Sequence, residues 1–359
     1  MHIVGVGRAF PPNYYDQDQL LEVLRRHWMR EHFNAARLER LHKNVLVGGR
    51  YLALTLEEYE ALETWGQAND AWIRTALDVG GNAVADALDD AGLTARDVDA
   101  LFTVTVTGVA TPSLDARLMN RLDLRPDVKR TPIFGLGCVA GAAGVARAAD
   151  YVRAFPDQVA VLLSVELCSL TVQKEDLSIP NLIATGLFGD GAAAVVIAGD
   201  RVATAEAKAP SDPGGGPRII DTRSAFYRDT ERVMGWDISE KGFGIVLSAD
   251  VPKMVGRHLR GDLDGFLAEH GLTIPDIGTW ICHPGGPKVL TAMEEAFELP
   301  RDAFELTWRS LAELGNLSSS SVLMVLGDTL EQRPPAPDSW GVLLAMGPGF
   351  CSELVLLRF

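Results

Sequence analysis

The sequence IFGLGCVAGAAGVARAADYV, residues 133–152, joins a short apolar run to a segment made largely of alanine and glycine. Cys138 stands at the junction, with Gly137 before it and Gly141 after it. Glycine permits a sharp strand-to-helix turn and lets another group approach the backbone closely. The stretch therefore predicts a strand, a tight turn that carries one thiol, and a helix over roughly 139–154.

Strands and helices alternate on both sides of this stretch. Buried strands are predicted over 101–108, 159–167 and 191–200, and a later one over 278–283. Alternating β and α elements with continuous apolar strands imply sheets that are covered on both faces by helices. A segment rich in proline and glycine, 208–221, is the clearest break in composition and predicts an exposed connection.

A short sequence pattern occurs twice. Gly189-Asp190-Gly191 precedes one apolar strand, and Gly347-Pro348-Gly349 precedes the last strand of the chain. The repetition predicts two halves built on one plan. Their expected boundaries are 1–207, which carries Cys138, and 208–359.

Composition limits the classes of function. With 33 Lys and Arg against 48 Asp and Glu, the net charge of −15 argues against a general nucleic-acid or anionic-membrane surface. The sequence shows no signal-peptide pattern at its start, and no apolar run reaches the ~18 residues of a spanning helix. Four widely spaced cysteines form no CxxC pair and no disulfide framework. We therefore expect a cytoplasmic protein with reduced thiols and no membrane span.

The immediate surroundings of Cys138 leave two interpretations open. A cysteine in an apolar setting is more often inert core than nucleophile. At the first turn of a helix, however, the thiol would feel the positive end of the helix dipole, which favours the thiolate. Unpaired backbone N–H groups there can also receive a developing oxyanion. These features predict a nucleophile elbow with sulfur in place of oxygen.

A cysteine nucleophile needs a base, and His283 is the best placed of the seven histidines. It ends the strand GTWICH before PGGPK, at the strand end where open α/β sheets place their sites. Asn316, in LGNLSSSSV, stands between a glycine and a helix start, where it could orient an anionic carbonyl. The alternatives are a polar strand end for His283 and a helix cap for Asn316.

Five motifs occur together in one order and spacing: GCVAGAAG, LFGDGAAAVV, HPGGPKVL, GNLSSSSV and MGPGF. Essentially from end to end, the chain resembles the type III polyketide synthases, the chalcone synthase-like family. The resemblance implies an α/β, thiolase-like fold in which two similar halves form five alternating αβαβα layers, and a homodimer. It also implies coenzyme A thioesters as substrates, with no metal and no organic cofactor.

The resemblance assigns roles to particular residues. Cys138 matches the acyl-carrying nucleophile of the family, and His283 and Asn316 complete a Cys-His-Asn triad. The positions that match gatekeeping, cavity-lining and interface residues are Phe188, Phe243, Thr171, Ser318, Cys168 and Thr111. The positions that match contacts to the coenzyme A phosphates are Arg37 and Arg40, with Lys43 beside a third position held by Asn44.

The implied activity begins when an acyl-CoA starter is loaded on Cys138. Malonyl-CoA would extend the chain by decarboxylative condensation, with a thiolate–imidazolium pair at Cys138 and His283. Because TGVATPSLDARL resembles bacterial members of the family, we expect a fatty acyl starter and an alkylpyrone or alkylresorcinol product. Two alternatives stay open. One is a ketoacyl synthase or head-to-head condensing enzyme that takes chains bound to an acyl carrier protein, and the other is an inactive acyl-binding subunit.

Overall fold

The computed structural model describes residues 1–28, 35–202 and 216–359. The strands are β1 (His2–Ala9), β2 (Asn13–Asp16), β3 (Gly49–Leu52), β4 (Ala100–Thr105), β5 (Lys129–Phe134), β6 (Val159–Leu167), β7 (Asp190–Ala198), β8 (Arg218–Phe226), β9 (Met234–Ser239), β10 (Gly242–Leu247), β11 (Ile277–Cys282), β12 (Trp340–Gly347) and β13 (Cys351–Arg358). The helices are α1 (Gln17–Trp28), α2 (Ala35–Asn44), α3 (Leu56–Ala61), α4 (Trp65–Ala91), α5 (Leu114–Arg121), α6 (Ala140–Ala154), α7 (Ile179–Leu187), α8 (Val251–Met254), α9 (Arg260–Ala268), α10 (Pro287–Phe297), α11 (Glu305–Leu314) and α12 (Ser321–Gln332).

Nine of the described strands form one sheet, in the order β11-β12-β13-β8-β1-β7-β6-β4-β5. From β1 through β7 and β6 to β4, two antiparallel pairings are followed by a parallel one. From β8 through β13 and β12 to β11, the same order of pairings occurs again. The two parts meet where β1 pairs with β8. The strands thus repeat one plan, while the boundary predicted between 207 and 208 lies outside the described residues.

Successive residues of a strand point to opposite faces of a sheet, and here both faces are buried. On β6, Leu162 packs in a core with α6 and α12, whereas Leu163 packs in a core with α4. On β12, Leu343 joins the first of these cores, and Leu344 packs in a third core with α9, α10 and α11. The helices α6 and α12 therefore lie between the two parts of the sheet. This confirms the five-layered, thiolase-like fold.

The two central helices meet through very small residues at their N-terminal ends. A Cβ atom on Gly141 of α6 would lie 2.2 Å from the carbonyl oxygen of Ser319 and 2.7 Å from Cγ1 of Val322. A longer side chain at Gly141 would therefore push the helices apart. The alanine and glycine content of the quoted stretch thus serves this packing, and it brings the turn before α6 beside the turn before α12.

Some elements differ from the sequence-based expectation. The apolar spacing over 79–93 predicts a helix, and this segment belongs to the longer α4, which begins after a capping box at Thr64 and has polar first turns. Within the break expected over 208–221, residues from Arg218 onward already belong to β8, so the break is not loop throughout. Of the helices in the described part of the chain, none combines the length and apolarity needed to cross a membrane.

Candidate active site

Cys138 lies in a tight turn between β5 and α6. The chain leaves β5, enters a 3-10 turn at Gly137–Val139 and continues directly into α6. Gly137 has a φ of +57°, and a Cβ atom there would lie 2.7 Å from Cδ of Pro348. Both the backbone conformation and the space therefore require glycine. The predicted strand-to-helix turn is present, and it places a buried thiol at the N-terminal end of a helix.

His283 directly follows β11. Its N–H donates to the carbonyl of Leu344 on β12 at 2.9 Å, and its carbonyl accepts from the N–H of Gly285 at 2.9 Å. The imidazole is buried, and neither ring nitrogen has a hydrogen-bond partner among the described residues. Buried polar atoms without a partner are rare and costly. Neither ring nitrogen is therefore engaged by the described part of the protein.

Asn316 lies between α11 and a 3-10 turn, Ser318–Ser320, that leads into α12. Its Oδ1 accepts the N–H of Ser318 at 2.8 Å, which leaves Nδ2 as the donor. Nδ2 donates to the carbonyl of Gly285 over a long 3.4 Å. The side chain thus acts partly as a cap, and its amide also presents a weakly engaged donor toward the loop that follows His283.

Cys138, Asn316 and Ser318 meet at one point. Burial raises the pKa of Cys138 to about 12, and hydrogen bonds with the side chains of Ser318 and Asn316 oppose that rise. The loop of His283 joins this group because the Asn316 amide donates to Gly285. The turns before α6 and α12 therefore converge with the end of β11.

Burial shifts the pKa values of Cys138 and His283 against the thiolate–imidazolium pair expected from the sequence. Burial raises the pKa of Cys138 to about 12 and lowers the pKa of His283 to about 3. Both shifts favour the neutral form, because a charged group loses hydration when it is buried. Burial therefore favours a thiol and a neutral imidazole, and a thiolate would form when His283 accepts the thiol proton.

Three of the predicted cavity residues lie on two elements near this point. Phe188 follows the last residue of α7 and forms a β-bridge with Asn316. Cys168 and Thr171 share a 3-10 turn after β6, where Thr171 Oγ1 donates to the carbonyl of Cys168 at 2.7 Å. Burial raises the pKa of Cys168 well above its usual value, and the nearby charges of Glu166, Asp190 and Cys138 add to that rise.

Phe243 and Thr111 have opposite environments. Phe243, on β10, is buried among aromatic rings, so it has a packing role whatever else it does. The rings around it belong to Trp65, Trp236 and Phe134. Thr111 is exposed in the loop between β4 and α5. Its expected position at an interface between two copies stays a prediction.

The three expected coenzyme A contacts, Arg37, Arg40 and Lys43, lie on α2 with exposed side chains. Lys43 pairs with Glu39 at 2.9 Å, so its charge is already engaged. The end of α2 borders a cavity of about 830 Å³, whose wall includes Asn44. The end of the helix that carries the three expected contacts thus lies at the rim of a cavity.

Two lysines that sequence reasoning missed line the same cavity. Lys253 lies on α8 and pairs with Asp250 at 2.6 Å. Lys288 lies in the first turn of α10 and makes no ion pair within the described ranges. Pro287, the first residue of α10 and part of the cavity wall, follows the His283 loop in the chain. Across the described part of the chain, no cluster of three or more His, Cys, Asp and Glu side chains is placed to hold a metal ion.

Sequence reasoning also missed Glu166, a carboxyl that is fully buried on β6. It accepts hydrogen bonds from the N–H of Val106 at 3.1 Å, from Thr107 Oγ1 at 2.9 Å and from Ser319 Oγ. Burial raises the pKa of Glu166 to about 7 despite these donors. The sequence offered one signal of Glu166: it is a charged residue within a strand predicted to be buried on both faces, where charges are rarely found.

The raised pKa of Glu166 predicts a pH-dependent stability. Between about pH 4.5 and 7 the folded state binds more protons at this carboxyl than the unfolded state, so the free energy of unfolding falls as pH rises through that window. We expect Glu166→Gln to flatten the profile by up to about 3 kcal/mol. Urea titrations of both proteins at several pH values measure the difference. An unchanged pH slope in the variant would contradict the assignment.

Comparison with known proteins gives consistent results. The family described as chalcone and stilbene synthases, N-terminal domain, matches residues 1–201, and the corresponding C-terminal domain family matches 219–359. A 1,3,6,8-tetrahydroxynaphthalene synthase of Streptomyces peucetius subsp. caesius is 52% identical over 99% of this chain and 93% of its own length. A 3,5-dihydroxyphenylacetyl-CoA synthase of Amycolatopsis orientalis is 32% identical over 99% of this chain and 92% of its own.

A solved structure agrees with the sequence comparisons. The crystal structure of 1,3,6,8-tetrahydroxynaphthalene synthase from Streptomyces coelicolor A3(2), a bacterial type III polyketide synthase, matches with a TM-score of 0.91 at 30% identity. The match covers 100% of this chain and 99% of that one. Both halves of the chain, which together form the site around Cys138, are thus similar to one kind of enzyme. The chain belongs to the chalcone and stilbene synthase family and is a type III polyketide synthase, an acyltransferase that condenses malonyl-CoA by decarboxylation.

Proposed function

We propose that Cys138 carries the growing chain while His283 and Asn316 serve its chemistry. The observation that supports this most is the pair of buried, partnerless ring nitrogens on His283 beside a weakly engaged Asn316 amide. In acylation, His283 accepts the thiol proton and the sulfur attacks the thioester carbonyl of the starter. Coenzyme A then leaves and takes the proton from His283, so the site returns to a neutral imidazole.

Chain extension uses two hydrogen-bond donors, one on His283 and one on Asn316. Malonyl-CoA loses CO₂, and the electron pair of the broken carbon–carbon bond forms an enolate of the thioester. The ring N–H of His283 and Nδ2 of Asn316 donate to the enolate oxygen, where negative charge develops. The enolate carbon attacks the thioester on Cys138, which forms the new carbon–carbon bond and releases the sulfur. The lengthened chain is then a coenzyme A thioester, and for the next extension the thiol of Cys138 attacks its thioester carbonyl and coenzyme A leaves, as in the first acylation.

We propose malonyl-CoA as the starter as well as the extender. The support is the 52% identity to a 1,3,6,8-tetrahydroxynaphthalene synthase, whose named product is a naphthalene with hydroxyls on alternate carbons and no alkyl chain. The fatty acyl starter expected from the sequence, with an alkylpyrone or alkylresorcinol product, is the second candidate. It is favoured by the small residues in the loop that holds Thr111.

The two candidates differ in a product assay. The purified protein is incubated with malonyl-CoA alone and with malonyl-CoA plus a series of acyl-CoA starters, and the products are identified by mass. A hydroxylated naphthalene from malonyl-CoA alone supports the first candidate, and alkylated pyrones or resorcinols made only with acyl-CoA support the second. The same starters bound to an acyl carrier protein test the carrier as a partner. No product from any combination would contradict both candidates.

We propose that the cavity beside α2 holds the coenzyme A phosphates. Two positively charged side chains support this proposal, because Lys288 and Lys253 line the cavity. Lys288 also lies in the first turn of a helix, where anions are favoured.

Lys288→Ala should raise the KM for malonyl-CoA about fivefold at unchanged kcat, since an exposed ion pair contributes up to ~1 kcal/mol. Lys43→Ala should change KM less, because Glu39 already engages Lys43. Steady-state kinetics with a larger effect at Lys43 would reverse this assignment.

We also propose a homodimer in the cytoplasm. The support for the dimer is β5, the edge strand of the sheet, whose side chains are mostly exposed and include Phe134 at 49% exposure. A strand at the edge of a sheet presents unpaired N–H and C=O groups that can pair with another chain. Sedimentation equilibrium gives the mass in solution, and a mass of one chain at all concentrations would exclude the dimer. The cytoplasmic location stays a prediction from the sequence.

A further inference from the structure

Arg50 is a buried charge that the reaction as described does not use. It lies on β3 and is 3% exposed. One guanidinium nitrogen donates to the carbonyl of Gly186 at 2.7 Å and to Oε1 of Gln17, and the other donates to the carbonyl of Thr185. Burial lowers the pKa of Arg50 to about 10, so the group is still charged at neutral pH.

The two carbonyls that Arg50 binds belong to the last turn of α7. The final carbonyls of a helix have no partner within the helix and carry the negative end of its dipole. A planar guanidinium can satisfy two of them at once, which a lysine ammonium does with less geometric precision. Arg50 therefore holds the C-terminal end of α7 in place, with help from Gln17, whose Nε2 donates to Gly186 at 3.0 Å.

The residues that follow this turn hold the backbone of Asn316 from both sides. The carbonyl of Leu187 accepts the N–H of Asn316 at 2.8 Å, and the N–H of Gly189 donates to the carbonyl of Asn316 at 3.0 Å. Phe188 lies between them. A Cβ atom on Gly189 would lie 3.1 Å from Cβ of Arg50, so the arginine also packs directly beneath this segment.

We propose that Arg50 is a positioning residue, which holds the end of α7 and through it fixes both the amide of Asn316 and the ring of Phe188. The inference rests on the proposed function, in which Asn316 stabilises the enolate. Arg50 touches neither the substrate nor the reacting atoms. Its effect passes through two carbonyls, three consecutive residues and one pair of backbone hydrogen bonds.

Asp190 supplies the opposing charge for this arrangement. Its carboxylate accepts the N–H of Ala53 at 2.6 Å and the N–H of Ser169 at 2.8 Å. Ser169 belongs to the 3-10 turn that carries Cys168 and Thr171. Arg50 and Asp190 thus form two buried groups of opposite charge, one bound to the last turn of α7 and one bound to the turn of Cys168 and Thr171.

The test separates the two partial reactions. Arg50→Met removes the guanidinium and keeps a side chain of similar length. We expect malonyl-CoA decarboxylation to fall about 10²-fold, as for a catalytic group displaced by about 1 Å. Transfer of an acyl group from a starter CoA to Cys138 should change by no more than a few fold. Arg50→Lys, which keeps the charge, should restore part of the decarboxylation rate. The matched control is Arg8→Met, because the partners of Arg8 lie in the C-terminal part of α12.

The outcomes distinguish this inference from the proposed function. Asn316→Ala is assayed in parallel: if it leaves decarboxylation intact, the proposed role of Asn316 fails. If it impairs decarboxylation but folded Arg50→Met does not, or if Arg50→Met lowers both partial reactions equally, the positioning role fails. Should Arg50→Met not fold, Gln17→Met takes its place, since it removes one donor to Gly186. Gln17→Met is expected to lower decarboxylation several-fold with acyl transfer kept, and unchanged decarboxylation would overturn the inference.

Discussion

Replacing Cys138 with alanine is expected to abolish polyketide formation while malonyl-CoA still loses CO₂ at a measurable rate. In the proposed reaction the enolate attacks only the thioester on Cys138, so loss of the thiol removes extension entirely. The enolate is stabilised by His283 and Asn316, which the substitution leaves in place. Chromatography of the products and capture of labelled CO₂ measure the two activities in one sample.

The control for this variant is Cys282→Ala. Cys282 is a fully buried thiol on β11, and burial raises its pKa above the usual range, so it is an inert core residue. Its removal should leave both polyketide formation and CO₂ release close to those of the parent protein. If Cys138→Ala still formed polyketide, Cys138 would be an inert core residue and not the nucleophile.

Substitutions at Asn316 and His283 are expected to separate the two steps that Cys138→Ala cannot. Removing one preorganised donor at an oxyanion site typically costs 10²–10³-fold in rate. Asn316→Ala should therefore lower decarboxylation by about that factor and still permit acyl transfer to Cys138. His283→Ala should lower both, because the imidazole accepts the thiol proton and also donates to the enolate. Labelled acyl transfer and labelled CO₂ release measure the two steps.

Asn316→Asp distinguishes the donor role from the capping role. Oδ1 of Asn316 accepts the N–H of Ser318, and a carboxylate can keep that bond while it cannot donate. If the amide donor matters, Asn316→Asp decarboxylates no faster than Asn316→Ala. Recovery of decarboxylation in Asn316→Asp would mean that the residue is only a cap for the turn before α12.

The parts of the site that were predictable from the sequence have local signals. Gly137 and Gly141 predicted a tight turn with close packing at Cys138, and the turn and the packing are both present. A strand ending at a glycine-rich loop located His283, and a glycine before a helix start located Asn316. Together with the motifs that carry the family resemblance, these signals also predicted the layered fold. Each depends on residues within a few positions of the one it marks.

The parts that were missed depend on residues far apart in the chain. Glu166 contacts Thr107, 59 residues away, and Ser319, 153 residues away, so its role becomes visible only when three elements meet. Arg50 acts on carbonyls 135 and 136 residues away. The ionisation of the site could not be predicted either. The helix N-terminus and an imidazolium at His283 suggested a thiolate, whereas burial, which only the packed structure reveals, raises the pKa of the thiol.

In the proposed reaction the polyketide chain grows on Cys138 from malonyl-CoA. The most direct measurement is mass spectrometry of the proteolysed protein after brief incubation with malonyl-CoA and quenching in acid. We expect a series of acyl adducts, spaced by two-carbon ketide units, on the peptide that contains Cys138, and no such series on the peptides that contain Cys168, Cys282 or Cys351. Product formation without any adduct at Cys138, or with the series on another cysteine, would contradict it.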